Sequence, residues 1–261
     1  MTNVRNPAVA GLFYPDNPRE LHALVSGYLA AVSTSGVVPK AIIAPHAGYV
    51  YSGPIAASAY ARLQPARGRV TRVVLLGPAH RVGFRGLALS SADYFLTPLG
   101  RITIDREAVD KISHLPQAHV MDAAHAQEHS LEVHLPFLQE VLGDFNLVPL
   151  VIGDAEPGEV AEVLDLLWGG PETLIVISSD LSHYHDYKSA QKLDRATSQA
   201  IEQLRPEAID YDSACGRNPV NGLLQVARQR GLKATTIDLR NSGDTAGSHD
   251  RVVGYGAYVF E

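Results

Sequence analysis

Ala41-Ile42-Ile43-Ala44-Pro45-His46-Ala47-Gly48, Val73-Val74-Leu75-Leu76-Gly77-Pro78-Ala79-His80 and Leu174-Ile175-Val176-Ile177-Ser178-Ser179-Asp180-Leu181-Ser182-His183 share one grammar. Each is a short apolar run, rich in β-branched residues, that stops at small or polar residues and then a histidine. Such runs read as buried strands, so each histidine falls just past a strand's carboxyl end. In open α/β sheets that edge is where ligands bind. Three imidazoles delivered there by separate strands point to a metal or acid/base site.

Working outward, the rest of the chain alternates strand-like and helix-like segments. Residues 17–32 carry apolar positions at helical spacing, with Asn17 as cap before Pro18. Further helices are predicted over 54–63, 105–113, 131–142, 157–168, 187–204 and 220–230. Additional strands are predicted over 87–90, 102–104, 147–152, 234–239 and 252–260, the last two antiparallel through a simple loop. This order predicts one α/β domain over residues 1–261, with a mostly parallel or mixed sheet and helices on both faces.

Composition narrows the function classes. Hydrophobic residues make up 46%, enough for a sizeable core, and the formal net charge of -6 leaves no basic footprint for nucleic acid. No apolar stretch reaches the roughly 20 residues that span a bilayer. No secretory signal pattern opens the chain, and a cytoplasmic location is expected. Cys215 is the single cysteine, which argues against a disulfide or a thiolate cage and leaves nitrogen and oxygen as the expected metal donors. Glycine-rich phosphate motifs are absent, so a nucleotide cofactor has no support.

His46 and His80 each follow a strand and a proline, a repetition that packing alone explains poorly. Two imidazoles leave a metal site incomplete, and Asp244, after the 234–239 strand, has the chemistry to close it. Two histidines and a carboxylate on one face of an ion leave open positions, as in non-haem iron(II) oxygenases. The alternative is that Asp244 caps a turn. Asp180, three residues before His183, can orient that ring for proton transfer. A serine hydrolase reading of Ser179 lacks the Gly-x-Ser-x-Gly elbow. In Glu128-His129-Ser130-Leu131-Glu132-Val133-His134, Ser130 reads as a cap and Glu132 as favouring the positive helix end. Glu128 and His129 then point at the sheet edge, and His134 is structural. His125 and His129 have the spacing of a weak zinc pair. Tyr49, Tyr51 and Tyr184 are expected near the pocket, where tyrosines also serve as packing.

Taken together, these segments resemble the Memo family, also called AmmeMemoRadiSam system protein B. The matching pieces begin with Pro7-Ala8-Val9-Ala10-Gly11-Leu12-Phe13-Tyr14-Pro15 and Ala44-Pro45-His46-Ala47-Gly48-Tyr49 with Tyr51-Ser52-Gly53. They continue through Leu76-Gly77-Pro78-Ala79-His80, the 128–136 segment and Ser178-Ser179-Asp180-Leu181-Ser182-His183-Tyr184. The resemblance implies a fold similar to class III extradiol ring-cleavage dioxygenases, with His46 and His80 at the metal and Asp180 and His183 lining the same pocket. His183 matches the dioxygenases' acid/base histidine. Animal members use a cysteine as third ligand where the dioxygenases use a glutamate. Cys215 lies too early for that place, and Asp244 is expected to take it.

The expected cofactor is iron(II), with zinc or copper as alternatives, and the expected activity is a dioxygenase-like oxidoreductase on a phenolic small molecule. A non-catalytic scaffold binding a peptide or other ligand in the same pocket, and a zinc-dependent hydrolase, are the competing functions. The family has also been linked to phosphotyrosine-peptide binding and metal-dependent redox activity in animals. In microbes the resemblance implies association with AMMECR-type and radical-SAM proteins.

Overall fold

The three quoted runs form the middle of one sheet. The computed structural model describes residues 2–33 and 35–261; Met1 and Thr34 lie outside the described residues. In chain order the strands are β1 (Val4–Arg5), β2 (Ala41–Ala44), β3 (Arg72–Pro78), β4 (Leu87–Leu89), β5 (Tyr94–Thr97) and β6 (Gly100–Ile104). They continue as β7 (Ala118–Val120), β8 (Asn146–Ile152), β9 (Thr173–Ser178), β10 (His183–His185), β11 (Ala234–Asn241) and β12 (Val252–Phe260). The helices are α1 (Pro18–Ala30), α2 (Tyr49–Ala61), α3 (Arg106–Ile112), α4 (Asp122–Ala126), α5 (Leu135–Leu142), α6 (Pro157–Leu167), α7 (Tyr187–Glu202) and α8 (Arg217–Arg230).

The spatial order is β1-β5-β6-β8-β3-β9-β2-β12-β10, with β11 on β12 and β4 bridging β7 and β8. From β6 to β2 the neighbours run parallel. β12 is antiparallel to β2, β10 and β11, and β5 is antiparallel to β6, so the sheet is mixed. The fold is a single α/β domain, consistent with the dioxygenase-like architecture expected above. β2, β3 and β9 are nearly solid apolar runs because strands covered on both faces have no solvent side to alternate toward.

Two helix groups pack on this sheet, one containing α1, α2 and α5 and the other α3, α6 and α8. α1 shows how sequence sets an element. The Asn17 side chain accepts from the Arg19 and Glu20 N–H groups, Pro18 opens the helix, and Leu21, Val25 and Leu29 form a buried stripe. Burying each of those side chains contributes roughly 1.5–3 kcal/mol. The 131–142 helix of the sequence reading is instead a 3-10 turn, Glu132–His134, followed by α5. α2 begins at Tyr49, five residues before the expected start at Pro54, because the Tyr51 and Ser52 N–H groups already bond the Gly48 carbonyl.

Topology places the site. β9, late in sequence, sits between β3 and β2. The turn carrying Asp180 therefore emerges between the ends that carry His80 and His46.

Candidate metal centre

His46 follows β2, is almost fully buried, and lies beside the end of β9. Its Nδ1 is 2.6 Å from the Ser178 hydroxyl oxygen. Ser178 donates its proton to the Ser130 carbonyl at 2.6 Å, so the hydroxyl must accept from His46. Nδ1 is therefore protonated, and Nε2 carries a free lone pair. Burial, followed by the neighbouring histidines, holds the His46 pKa well below its ordinary value, so the ring is neutral at neutral pH.

His80 follows β3 and is oriented in the same sense. Its Nδ1 lies 2.9 Å from Glu128 Oε1, and its backbone N–H donates to Glu128 Oε2 at 2.6 Å. Burial opposes ionisation of Glu128, yet the hydrogen bonds and charge of His80 outweigh it and hold the carboxyl at about 2. An ionised carboxylate only accepts, so His80 Nδ1 is also protonated, and Nε2 has no hydrogen-bond partner among the described residues. The carboxylate–histidine pairing is the one that fixes ring orientation at metal sites. Gly77 lets the 128–131 loop approach this closely, since a Cβ there would meet Ser130 Oγ at 2.8 Å.

The third candidate donor is Cys215. Its Sγ is 3.4 Å from His46 Nε2, and ligand atoms of His46, His80 and Cys215 all lie within 4.8 Å of one another. Cys215 stands just before α8, pressed against the end of β9. Gly216 makes that approach possible: a Cβ there would fall 2.4 Å from the Ser178 carbonyl oxygen, and its N–H donates to Ser179 Oγ at 3.0 Å. Burial, then the charge of Asp180, push the thiol pKa up, so without a cation Cys215 is a neutral thiol. A bound cation is the influence that deprotonates such a group. Two imidazoles held through Nδ1, with a thiol beside them, are a donor set that fits a first-row transition metal.

These donors open into a pocket of about 510 Å³, whose lining also includes Phe13, His129, His183, Tyr184 and Tyr211. Asp180 is buried beside His46, where its Oδ1 accepts the His46 backbone N–H at 2.8 Å. Burial pushes the Asp180 carboxyl up to about 6, against the charge of His183 and the His46 N–H. The His129 ring lies 5.4 Å from His46 and stacks on His80 at 4.6 Å. Burial, then the charge of His80, lower its pKa to about 4. A larger cavity, about 590 Å³, lies at the opposite, amino-terminal edge of β3 and β8 and has no histidine or cysteine in its lining, so the chemistry belongs to the smaller one.

A family profile described as Memo-like protein matches residues 5–259. The chain belongs to the Memo family. It is 39% identical to a MEMO1 family protein of Aquifex aeolicus over 98% of this chain and 99% of the relative. It is 35% identical to one from Ignicoccus hospitalis, covering 98% of both chains, and 37% identical to one from Thermotoga neapolitana, covering 97% and 98%.

Within this Memo-family chain the structure brings His46, His80, His129, Asp180, His183 and Tyr184 to one pocket, buries Glu128 behind His80, and leaves Asp244, Tyr49 and Tyr51 outside it. Asp244 does not reach the cluster. It closes a turn in which its Oδ2 accepts the Asn241 N–H at 2.8 Å, and its Oδ1 takes the Tyr187 hydroxyl proton. Cys215, set aside on the sequence as too early, lies beside His46 and His80 instead, because α8 docks its start on β9. Tyr49 faces the core: the early start of α2 turns its ring against Phe137 at 5.0 Å, and its hydroxyl donates to the Val133 carbonyl at 2.6 Å. Tyr51 is exposed and absent from the pocket lining.

Three other expectations change. Asp180 makes no hydrogen bond to His183 among the described residues; it positions His46 and acts on His183 through charge alone. His125 does not pair with His129, since its Nε2 bonds the Ala88 carbonyl at 3.0 Å and its ring packs on Phe95. Glu132 is no helix-end charge. It is fully buried, pairs with Arg5, and accepts from the N–H groups of Ala8 and Val9 at 2.7 and 3.0 Å and from the Tyr14 hydroxyl at 2.5 Å. That carboxylate pins residues 5–14, which carry Phe13 to within 4.9 Å of the His129 ring. Sequence reasoning missed Cys215, Phe13 and Tyr211; a small-residue turn, Ala214-Cys215-Gly216, directly before a helix was the available signal for the first.

Proposed function

We propose that this protein binds one transition-metal ion through His46 Nε2, His80 Nε2 and Cys215 Sγ and acts as a non-haem iron(II) oxidoreductase on a phenolic small molecule. The observation that carries the reading is the convergence of three candidate donors within 4.8 Å of one another, with both imidazoles held through Nδ1. When bound, iron(II) supplies the electron-transfer chemistry by which dioxygen reacts with a phenolic ring. Three protein donors at the floor of an open pocket leave positions for such reactants.

The chain's own residues do the rest. Ser178 and Glu128 hold the two rings, and Asp180 fixes the His46 backbone. His183 has no side-chain hydrogen bond to the protein among the described residues, so its ring is free to accept a phenol's proton and return it. Phe13 and His129 wall the pocket beside the donors.

A second reading, a zinc-dependent hydrolase, is favoured by the thiol donor, which suits zinc as well as iron. Anaerobic reconstitution separates the two. Purified protein stripped of metal is offered iron(II) or zinc, and oxygen uptake is followed with a catechol panel. We expect one equivalent of iron(II) and catechol-dependent oxygen consumption. Iron binding that survives His46→Ala, His80→Ala and Cys215→Ala overturns the site; tight zinc binding with hydrolysis and no oxygen uptake favours the second reading.

A further inference from the structure

Tyr184 sits in a conformation that a bulky residue rarely adopts. Its φ is 61°, in the left-handed region that favours glycine. The other non-glycine residue with positive φ among those described, Leu204, lies just past the end of α7, where a left-handed residue commonly closes a helix. Tyr184 has no such excuse. His183 pairs with Val253 and His185 with Val252, so two neighbours on β12 face a three-residue span of β10, and Tyr184 is the extra residue of a bulge.

Nothing in the packing repays this strain. Tyr184 is 63% exposed, although an aromatic ring is ordinarily worth burying. Its near neighbours are the His183 ring, edge-on at 5.7 Å, and the Arg251 guanidinium, 5.1 Å over the ring. It lines the same pocket as His46, His80 and Cys215. Strain of this kind persists where the surrounding structure enforces it, and it gathers at ligand clamps and active sites.

We propose that Tyr184 is a substrate-contacting residue: the β10 bulge holds its ring at the pocket mouth to cover a planar aromatic substrate and so selects that class. This rests on the proposed phenolic chemistry of the same site and adds the group that discriminates ring-bearing substrates from aliphatic ones. Arg251 holds one face of the phenol and adds a positive charge at the mouth, which favours aromatic substrates bearing an anionic group. The same bulge turns His183 into the pocket, so one backbone irregularity sets both the proton-transfer group and the cover.

The test uses full-length protein loaded anaerobically with iron(II), so that nothing turns over, with 4-nitrocatechol as the chromophoric probe. Iron content, probe affinity and thermal midpoint are measured for the parent chain and for Tyr184→Phe, Tyr184→Ala and Tyr184→Gly. Iron content should be unchanged throughout, and Tyr184→Phe should bind the probe within about twofold of the parent. Loss of ring contact should weaken binding about tenfold in Tyr184→Ala and Tyr184→Gly. Tyr184→Gly should also raise the thermal midpoint by roughly 2–4 °C through relief of the left-handed tyrosine. Parent-like affinity in Tyr184→Ala overturns the inference and leaves the metal-site reading intact, as does a fall in midpoint for Tyr184→Gly. Absence of probe binding by the iron-loaded parent overturns both.

Discussion

Replacing Glu132 by glutamine should cost the protein a large part of its stability. The side chain is fully buried, and so is its partner Arg5, whose guanidinium also donates to the carbonyls of His125 and Glu128 at 3.1 and 2.7 Å. Four donors end on this one carboxylate: Arg5, the Ala8 and Val9 N–H groups and the Tyr14 hydroxyl. Removing its charge strands the guanidinium in the interior, a loss of about 3–5 kcal/mol for a broken buried pair. The amide also turns an N–H₂ toward groups that themselves donate, which leaves at least one of them unsatisfied at about 1–3 kcal/mol. The combined loss, about 4–8 kcal/mol, rivals the total stability of about 5–15 kcal/mol usual for a folded domain. Urea unfolding of the metal-free protein reads it directly. With a slope of roughly 3 kcal/mol/M, the midpoint should fall by more than about 1 M. Adding Arg5→Met should recover part of the loss, because the stranded charge is gone. A single-variant loss below about 1 kcal/mol, or a double variant weaker than the two single losses summed, refutes this account of the anchor.

Other outcomes follow from the same structure. His125 and His134 are buried with pKa values lowered to about 4 and about 3, chiefly by burial. Histidines depressed in the fold contribute stability above their unfolded pKa near 6.5 that is lost as pH falls toward the folded values. Between pH 6 and 4.5 these two should remove roughly 2–2.5 kcal/mol per pH unit, and urea midpoints across that window should flatten in His134→Gln. Iron(II) at about a hundred times its dissociation constant should add about 2.7 kcal/mol, seen as a thermal midpoint that rises with metal and falls with chelator. That dependence should vanish in Cys215→Ser combined with His46→Ala. Gly216→Ala places a methyl 2.4 Å from the Ser178 carbonyl oxygen, so metal uptake should drop along with stability; full retention of both contradicts the docking of α8 on β9. Asp244→Ala should leave metal content untouched and lower stability by about 1 kcal/mol as a lost cap. Loss of metal in that variant restores Asp244 to the ligand set.

What could be read in the sequence was whatever local pattern dictates. His46 and His80 were legible because a buried strand announces itself by an unbroken apolar run, and the proline that ends it puts the next residues at the sheet edge. The short strands β5 and β7 were not, since Tyr94–Thr97 and Ala118–Val120 are too brief to show a period. Cys215 was invisible for a different reason. Its role comes from a close approach between two backbones far apart in sequence, permitted by the absence of a side chain at Gly216, and no spacing rule encodes that. Asp244 misled because an aspartate in Asn-Ser-Gly-Asp looks the same whether it caps a turn or faces an ion. Tyr49 misled because the register of α2 decides which way it points, and Pro54 suggested the wrong start.

The insertion of β9 between β3 and β2 has a consequence for how the protein is made. The hairpin-free core cannot zip from neighbour to neighbour, because two strands made early must stay apart until a third, about a hundred residues later than His80, slots into the gap. Such long-range pairing is slow. Ser178, which aims the His46 ring, arrives with that third strand, and the thiol arrives later still. A nascent chain therefore carries two unaimed imidazoles, and the cluster with Cys215 assembles only after the last parallel strand and α8 are in place. On the proposed metal site, capture would therefore follow completed folding rather than trigger it.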